Sequence, residues 1–200
     1  DFNLESYLIN RKNKHNLISL RGQQNLRGFS INIPGDPSSA AFFVAICLMT
    51  KGSKIRLKKI NLNKFRIGYI RCLKSMGANI KLQNIKKRFG ESVGDIVVKS
   101  SKLRPINFPK KEVISTVDEL PIMMTIASQI KGISTFKNIG VIRGKESDRI
   151  KKMAENLKAF GIKTKVTKNS IKIYGSPLKN YLSNKLIKIQ PSLDHRIQMC

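Results

Sequence analysis

One order of elements occurs twice in this chain, and that repeat limits its fold more than any other feature. Residues 36–50, "DPSSAAFFVAICLMT", predict a helix, because Asp36 is a good N-cap and Pro37 suits the first helical position. "KGSKIRLKKI" (51–60) then supplies a glycine stop and an alternating strand. "FRIGYIRCLKSMG" (65–77) puts Phe65, Tyr69, Ile70, Leu73 and Met76 on one helical face and ends at Gly77. "NIKLQ" (79–83) and "DIVVK" (95–99) alternate as two strands, with a Lys-rich mobile hairpin loop expected between them. The second pass has the same order. "DELPIMMTIASQI" (118–130) is an apolar helix, and "KGISTFKNI" (131–139) is a glycine stop plus strand. "ESDRIKKMAENLKAFG" (146–161) is an amphipathic helix, and "IKTKV" (162–166) and "SIKIY" (170–174) are strands joined by a short turn. "GFSINI" (28–33) and "EVIST" (112–116) are candidates for a strand preceding each pass. The expectation is a βαβαββ unit used twice, with helices packed on sheets in an α/β architecture.

The longest apolar run, residues 40–49, is too short to span a bilayer and reads as a buried helix. The cysteines Cys47, Cys72 and Cys200 are odd in number and lack metal-ligand spacing. They predict a reduced, cytoplasmic protein without a disulfide framework. The formal net charge of +27 asks for an anionic partner: nucleic acid, an acidic surface or phosphorylated metabolites. With 6% aromatics, no Trp and no RNP or zinc-finger motif, specific nucleic-acid recognition is not expected. The chain begins "DFNLES" without Met and stops at "DHRIQMC", where a new element starts, so it reads as a piece of a longer protein.

Chemistry concentrates at three helix starts. Asp118 precedes an almost wholly apolar helix and can cap it, a role that does not exclude acid/base work in a cleft. "GVIRGKESDRI" (140–150) is the second: in the helix after Gly144, Ile150, Met153, Ala154 and Leu157 form the buried stripe. At about 100° per residue, Glu146 falls near its centre, Arg149 at its edge and Lys145 somewhat further round. Glu146 complements the helix dipole there, but Lys145 and Arg149 do not, and a bound anion explains both. Asp194, His195 and Arg196 form a third such cluster, at the start of a helix that runs to the end of the chain.

"PGDPSSAAFF", "VDELPIM", "RGKESDR" and "DHRIQM", in this order, resemble the 5-enolpyruvylshikimate-3-phosphate synthase family. The similarity runs from about Ser30 to Cys200. It implies an inside-out α/β barrel of six βαβαββ units in two domains, of which residues 30–200 hold one incomplete domain. Residues 1–29 correspond to the tail of the other domain and the crossover. The implied reaction moves the enolpyruvyl group of phosphoenolpyruvate to the 5-hydroxyl of shikimate 3-phosphate, in the shikimate pathway, by a monomer without metal or organic cofactor. Carried over by motif, Asp118 is an acid/base near the shikimate hydroxyl, Lys145 reaches the reacting oxygen, and Glu146 protonates the methylene carbon. Arg149 and Arg196 clamp the phosphoenolpyruvate carboxylate, and His195 supports the site. Gly144 and Val141 depart from the family pattern, which usually has Val and a polar residue there; the first departure is expected to loosen the turn presenting Lys145. Two other readings are weighed beside this one. UDP-N-acetylglucosamine enolpyruvyl transferases share the fold and chemistry but lack a "KESDR"-type motif. A basic RNA-binding fragment is the reading of a different class.

Overall fold

The computed structural model describes residues 7–12, 15–20, 22, 23, 25, 28, 30–177, 187, 189 and 192–200. Strands β1 (Tyr7–Lys12) and β2 (His15–Leu20) pair antiparallel as a separate two-stranded sheet. The first repeat unit contains α1 (Pro37–Met49), β3 (Lys54–Asn61), α2 (Gly68–Ser75), β4 (Asn79–Arg88) and β5 (Glu91–Lys99). The second contains α3 (Leu120–Ser128), β6 (Gly132–Lys137), α4 (Arg149–Ala159), β7 (Lys163–Thr167) and β8 (Ser170–Gly175). A short α5 (His195–Gln198) follows. The two sheets have the same order, β3-β5-β4 and β6-β8-β7, antiparallel throughout. The repeat read from the sequence is therefore the repeat of the fold.

Each sheet turns one face to its own two helices, and α1 packs on α3 between the sheets. This arrangement explains why α3 is apolar nearly all round, whereas α1, just as apolar, leaves Phe43 and Ile46 each 58% exposed. A helix enclosed on most sides needs no polar stripe. Val44, Ala45, Leu120, Met123 and Met124 are fully buried, as are Ile96, Val98, Ile171 and Ile173 on the inner sheet faces. Phe108 stacks on Phe136 at 5.3 Å between centroids. No helix among the described residues is long and apolar enough to cross a membrane.

Four expectations need correction. The strand preceding the second unit lies not at 112–116, which forms two short 3₁₀ turns, but at Asn107, bridged in parallel to Thr135. Ile106 and Phe108 on either side of it are buried, and Pro105 and Pro109 bound the segment. The corresponding pairing in the first unit is confined to Gly35, bridged to Ile60, while the described residues of 28–33 form no strand. Phe65 is 69% exposed instead of sharing the buried face of α2, because the helix starts only at Gly68. The Lys-rich segment is a hairpin, as expected, but built of strand instead of loop. β4 and β5 extend through it and meet at Phe89–Gly90, both at positive φ (49° and 78°), as a two-residue hairpin turn of matching twist requires.

A register shift interrupts β3 between Leu57 and Ile60, and another interrupts β4 between Gln83 and Lys86. Lys59 and Asn84 are left-handed there, at φ 54° and 52°. Asp95 on the central strand holds both bulges, accepting from the Lys59 amide at 3.0 Å and Asn84 Nδ2 at 2.8 Å. The sheet bends where this carboxylate pins it.

Candidate active site

Asp148 caps α4, accepting from the Lys151 amide at 3.0 Å, so the helix begins at Arg149 and not at Glu146. Arg143 fixes the approach. Its Nη1 meets Asp148 at 2.5 Å, and its Nε and Nη2 donate to the carbonyls of Lys168 and Thr167, each at 2.8 Å. This ties the 3₁₀ turn Gly140–Gly144 to the β7–β8 turn and leaves Lys145 and Glu146 exposed on the connection. Nothing in the backbone requires glycine at 144: its φ is not left-handed, and a Cβ there would meet nothing within 4 Å. The Arg143 staple sets the geometry. Val141 is 49% exposed beside it.

Arg149 is 1% exposed and is the centre of the arrangement. Its Nε donates to Asp194 Oδ2 at 2.9 Å and its Nη2 to Asp194 Oδ1 at 3.3 Å. Nη2 also meets Glu146 Oε2 at 2.6 Å, and Nη1 meets Asp118 Oδ1 at 3.3 Å. Four hydrogen bonds thus engage a group that has five N–H donors. Burial alone would lower the Arg149 pKa; the carboxylates, Asp194 foremost, more than offset it and raise it. Asp194 is fully buried and also accepts from Ser147 Oγ at 2.9 Å and the Arg196 amide at 3.0 Å. Burial pushes its carboxyl up, but Arg149, Ser147 and the Arg196 amide bring it below the usual carboxylate range.

Asp118 does not cap α3. The cap position is Glu119, which makes no side-chain capping bond, and Asp118 turns to Arg149. The side chains of Asp118 and Glu146 remain 35% and 54% exposed, although each has an oxygen on the buried guanidinium. His195 is exposed and Arg196 half-buried at the start of α5. The structure thus brings Asp118, Glu146 and Arg149 together and adds His195 and Arg196 through their neighbour Asp194. Lys145 adjoins Glu146 in the chain.

Sequence reasoning singled out neither Glu119 nor its partners in the first unit. Ser38 Oγ donates to Glu119 Oε1 at 2.5 Å and accepts from Arg66 Nη2 at 3.1 Å. Arg66 Nη2 also reaches Asp36, the cap of α1, at 3.1 Å. Arg66–Asp36 is the repeat counterpart of Arg149–Asp118, each joining the start of a unit's second helix to the start of its first. Burial raises the Glu119 carboxyl to about 6, with Asp118 adding to the rise against Ser38, Arg196 and Arg66. The repeat itself was the available signal, since Asp36, Asp118 and Asp194 all stand at first-helix starts. Chemically, the site presents two partly exposed carboxylates for proton transfer and nearby cations for an anion.

Comparisons with known proteins bear on the family and the fold. The family model for EPSP synthase (3-phosphoshikimate 1-carboxyvinyltransferase) matches residues 6–200. The 3-phosphoshikimate 1-carboxyvinyltransferase of Zymomonas mobilis is 40% identical over 184 residues, covering 92% of this chain and 41% of that protein. That of Thermodesulfovibrio yellowstonii is 42% identical over 177 residues, covering 87% of this chain and 40% of that protein. The solved EPSP synthase from Acinetobacter baumannii superposes with a TM-score of 0.79 at 34% identity, over 98% of this chain and 45% of that one. The enolpyruvyl transferase NikO from Streptomyces tendae, at 14% identity and a TM-score of 0.51, shares the fold over 69% of this chain and 29% of its own. The chain spans about two-fifths of the length of the curated relatives it matches.

Proposed function

The chain belongs to the EPSP synthase family, and from that premise we propose that it forms part of an enzyme transferring the enolpyruvyl group of phosphoenolpyruvate to the 5-hydroxyl of shikimate 3-phosphate. Phosphate is the leaving group. Residues 1–29 supply the tail of the other domain and the crossover, and residues 30–200 an incomplete domain. The enzyme works as a cytoplasmic monomer. Glu146 gives a proton to the methylene carbon of phosphoenolpyruvate while the 5-hydroxyl adds to the neighbouring carbon. Asp118 takes up the hydroxyl proton, and Lys145 donates to the reacting oxygen. The tetrahedral adduct then expels phosphate and returns a methyl proton to the Glu146 carboxylate, which regenerates the enol ether.

One observation carries this reading: a single buried guanidinium, Arg149, gathers Asp118, Glu146 and Asp194 from three motifs far apart in the chain. Arg149 is largely spent on these carboxylates, so its share in clamping the substrate carboxylate is its one remaining N–H. The more exposed Arg196 supplies the rest, with His195 in support. Planar guanidinium suits a carboxylate, and cationic walls raise the local concentration of two anionic substrates.

Steady-state kinetics of Glu146→Gln in the completed enzyme test it. The amide keeps shape and hydrogen-bonding reach but has no proton to transfer, so kcat is expected to fall roughly 10²–10⁴-fold with little change in KM. An unchanged kcat returns Glu146 to the role of a helix-start charge.

A further inference from the structure

Two acidic neighbours at the start of α3 reach into different units. Asp118 meets Arg149, in the second unit, at 3.3 Å, and Glu119 accepts from Ser38 Oγ, in the first, at 2.5 Å. Among the described residues that 3.3 Å bond is all that the Asp118 side chain makes, and Arg149 is held more closely by Glu146 and Asp194, at 2.6 and 2.9 Å. The chain leading to Asp118 is no regular element but the two 3₁₀ turns Lys110–Glu112 and Ile114–Thr116. Side chains fasten this stretch to the first unit before and after Asp118. Glu112 takes two bonds from Arg71 on α2, at 2.9 and 2.7 Å, and Glu119 takes its bond from Ser38 in the first turn of α1. The backbone that presents Asp118 is thus anchored to one unit while its carboxylate meets the other.

Packing does not account for Glu119. Leu120, Met123, Met124 and Ile126 already seat α3 in the core. A carboxylate 3% exposed is desolvated, which lifts it to about 6, and an apolar side chain in place of a buried ion is often neutral or stabilising. Nor does Glu119 serve its helix, since it makes no capping bond. What it has is a polarised partner. Arg66 Nη2 donates to Ser38 Oγ at 3.1 Å, and Ser38, itself fully buried, donates on to Glu119. A bond to an ionised acceptor is stronger than a neutral one, and Arg66 and Arg196 favour the ionised form against burial and Asp118. We propose that Glu119 is a positioning residue for enolpyruvyl transfer: through Ser38 it locks the start of α3 to α1 and thereby holds Asp118 at the reacting hydroxyl. The proposal rests on the role given to Asp118 above. Such a lock acts on rate more than on binding, because a displacement of about 1 Å can cost about 10²-fold in rate.

Steady-state kinetics of variants of the completed enzyme, with urea midpoints beside them, test the proposal. Glu119→Ala is expected to lower kcat about 10–100-fold. KM for phosphoenolpyruvate should stay within about 3-fold, since no contact to that substrate is lost. Glu119→Gln keeps an acceptor for Ser38 but not the charge-assisted bond, so it should lose about 3–10-fold in kcat. The same variant should be the more stable protein above pH 7, where the parent carries a buried charge. A slower enzyme with a higher urea midpoint separates positioning from a general weakening of the fold. Asp118→Asn should cost roughly 10²–10⁴-fold by itself. Adding Glu119→Ala to it should cost less than about 3-fold more, because no base remains to be positioned. If Glu119→Ala does not fold, Ser38→Ala breaks the same bond from α1 and enters the same cycle. An equal fold-loss from Glu119→Ala with and without the Asp118 carboxylate would overturn the proposal, as would an unchanged kcat in both Glu119 variants. Both of those outcomes leave the role of Asp118 standing, whereas an unchanged kcat in Asp118→Asn would overturn that role and the proposal together.

Discussion

Glu119 is 3% exposed and sits between the two units, with its carboxyl held to Ser38 and next in sequence to Asp118. Burial raises it from an ordinary 4.5 to about 6, so the folded chain takes up this proton before the unfolded chain does as pH falls. The folded state binds more protons between these values, so stability falls as pH rises from about 4.5 to 6. Glu119→Gln keeps an acceptor for Ser38 and removes the titration. Urea denaturation should show the variant more stable by up to about 2 kcal/mol above pH 7, with the difference vanishing below pH 4.5. A difference that persists at low pH would mean that packing, not charge, separates the two. Arg149 has the opposite character. Arg149→Met leaves Asp194 charged and buried, at an expected cost of about 3–5 kcal/mol. Adding Asp194→Asn should recover much of that loss, since no naked charge remains. A double variant no more stable than Arg149→Met would assign the loss to packing.

Among the elements, period and glycine stops made the helices and most strands legible in the sequence, because each has a buried face with its own spacing. What failed is equally physical. The 112–116 segment alternates acceptably for a strand, but Glu112 turns in to meet Arg71 at 2.7 Å and the backbone tightens into 3₁₀ turns. That partner lies on another helix, beyond the reach of any local pattern. Asp118 looked like a cap because capping is local, whereas Arg149, its actual partner, lies 31 residues away. The closure of β8 against α3 is likewise a tertiary fact. A Cβ at Gly175 would come within 2.2 Å of the Ile130 carbonyl oxygen and 2.3 Å of that of Ala127. Both are backbone atoms at the end of α3 and cannot swing away. Gly175→Ala is expected to cost about 3 kcal/mol, the upper part of the overpacking range, read from the urea midpoint at unchanged m-value. A loss below about 0.5 kcal/mol would show that the β8–α3 junction gives way easily.

For the molecule as a whole, the inside-out order of sheet, helices and sheet has a functional consequence. With the helices between the sheets, the starts of α3, α4 and α5 come to one place, and the charged residues there share a single wall. Asp118 and Glu146 on that wall are 35% and 54% exposed, and Lys145 and His195 are exposed as well. A carboxylic acid in that setting is a weak donor to carbon, because water screens every charge that should stabilise the adduct and no second surface orients the acceptor hydroxyl. The 200-residue chain alone is therefore expected to release no phosphate from phosphoenolpyruvate and shikimate 3-phosphate above background, even though the Arg149 cluster is fully assembled in it. Weak, salt-sensitive retention of phosphoenolpyruvate, visible as a small rise in thermal midpoint at millimolar ligand, is the most that one cationic wall should give. A coupled phosphate assay decides it. Turnover by the isolated chain near that of a full-length relative would mean that one wall suffices, and would remove the need for an enclosing second domain from the proposed mechanism.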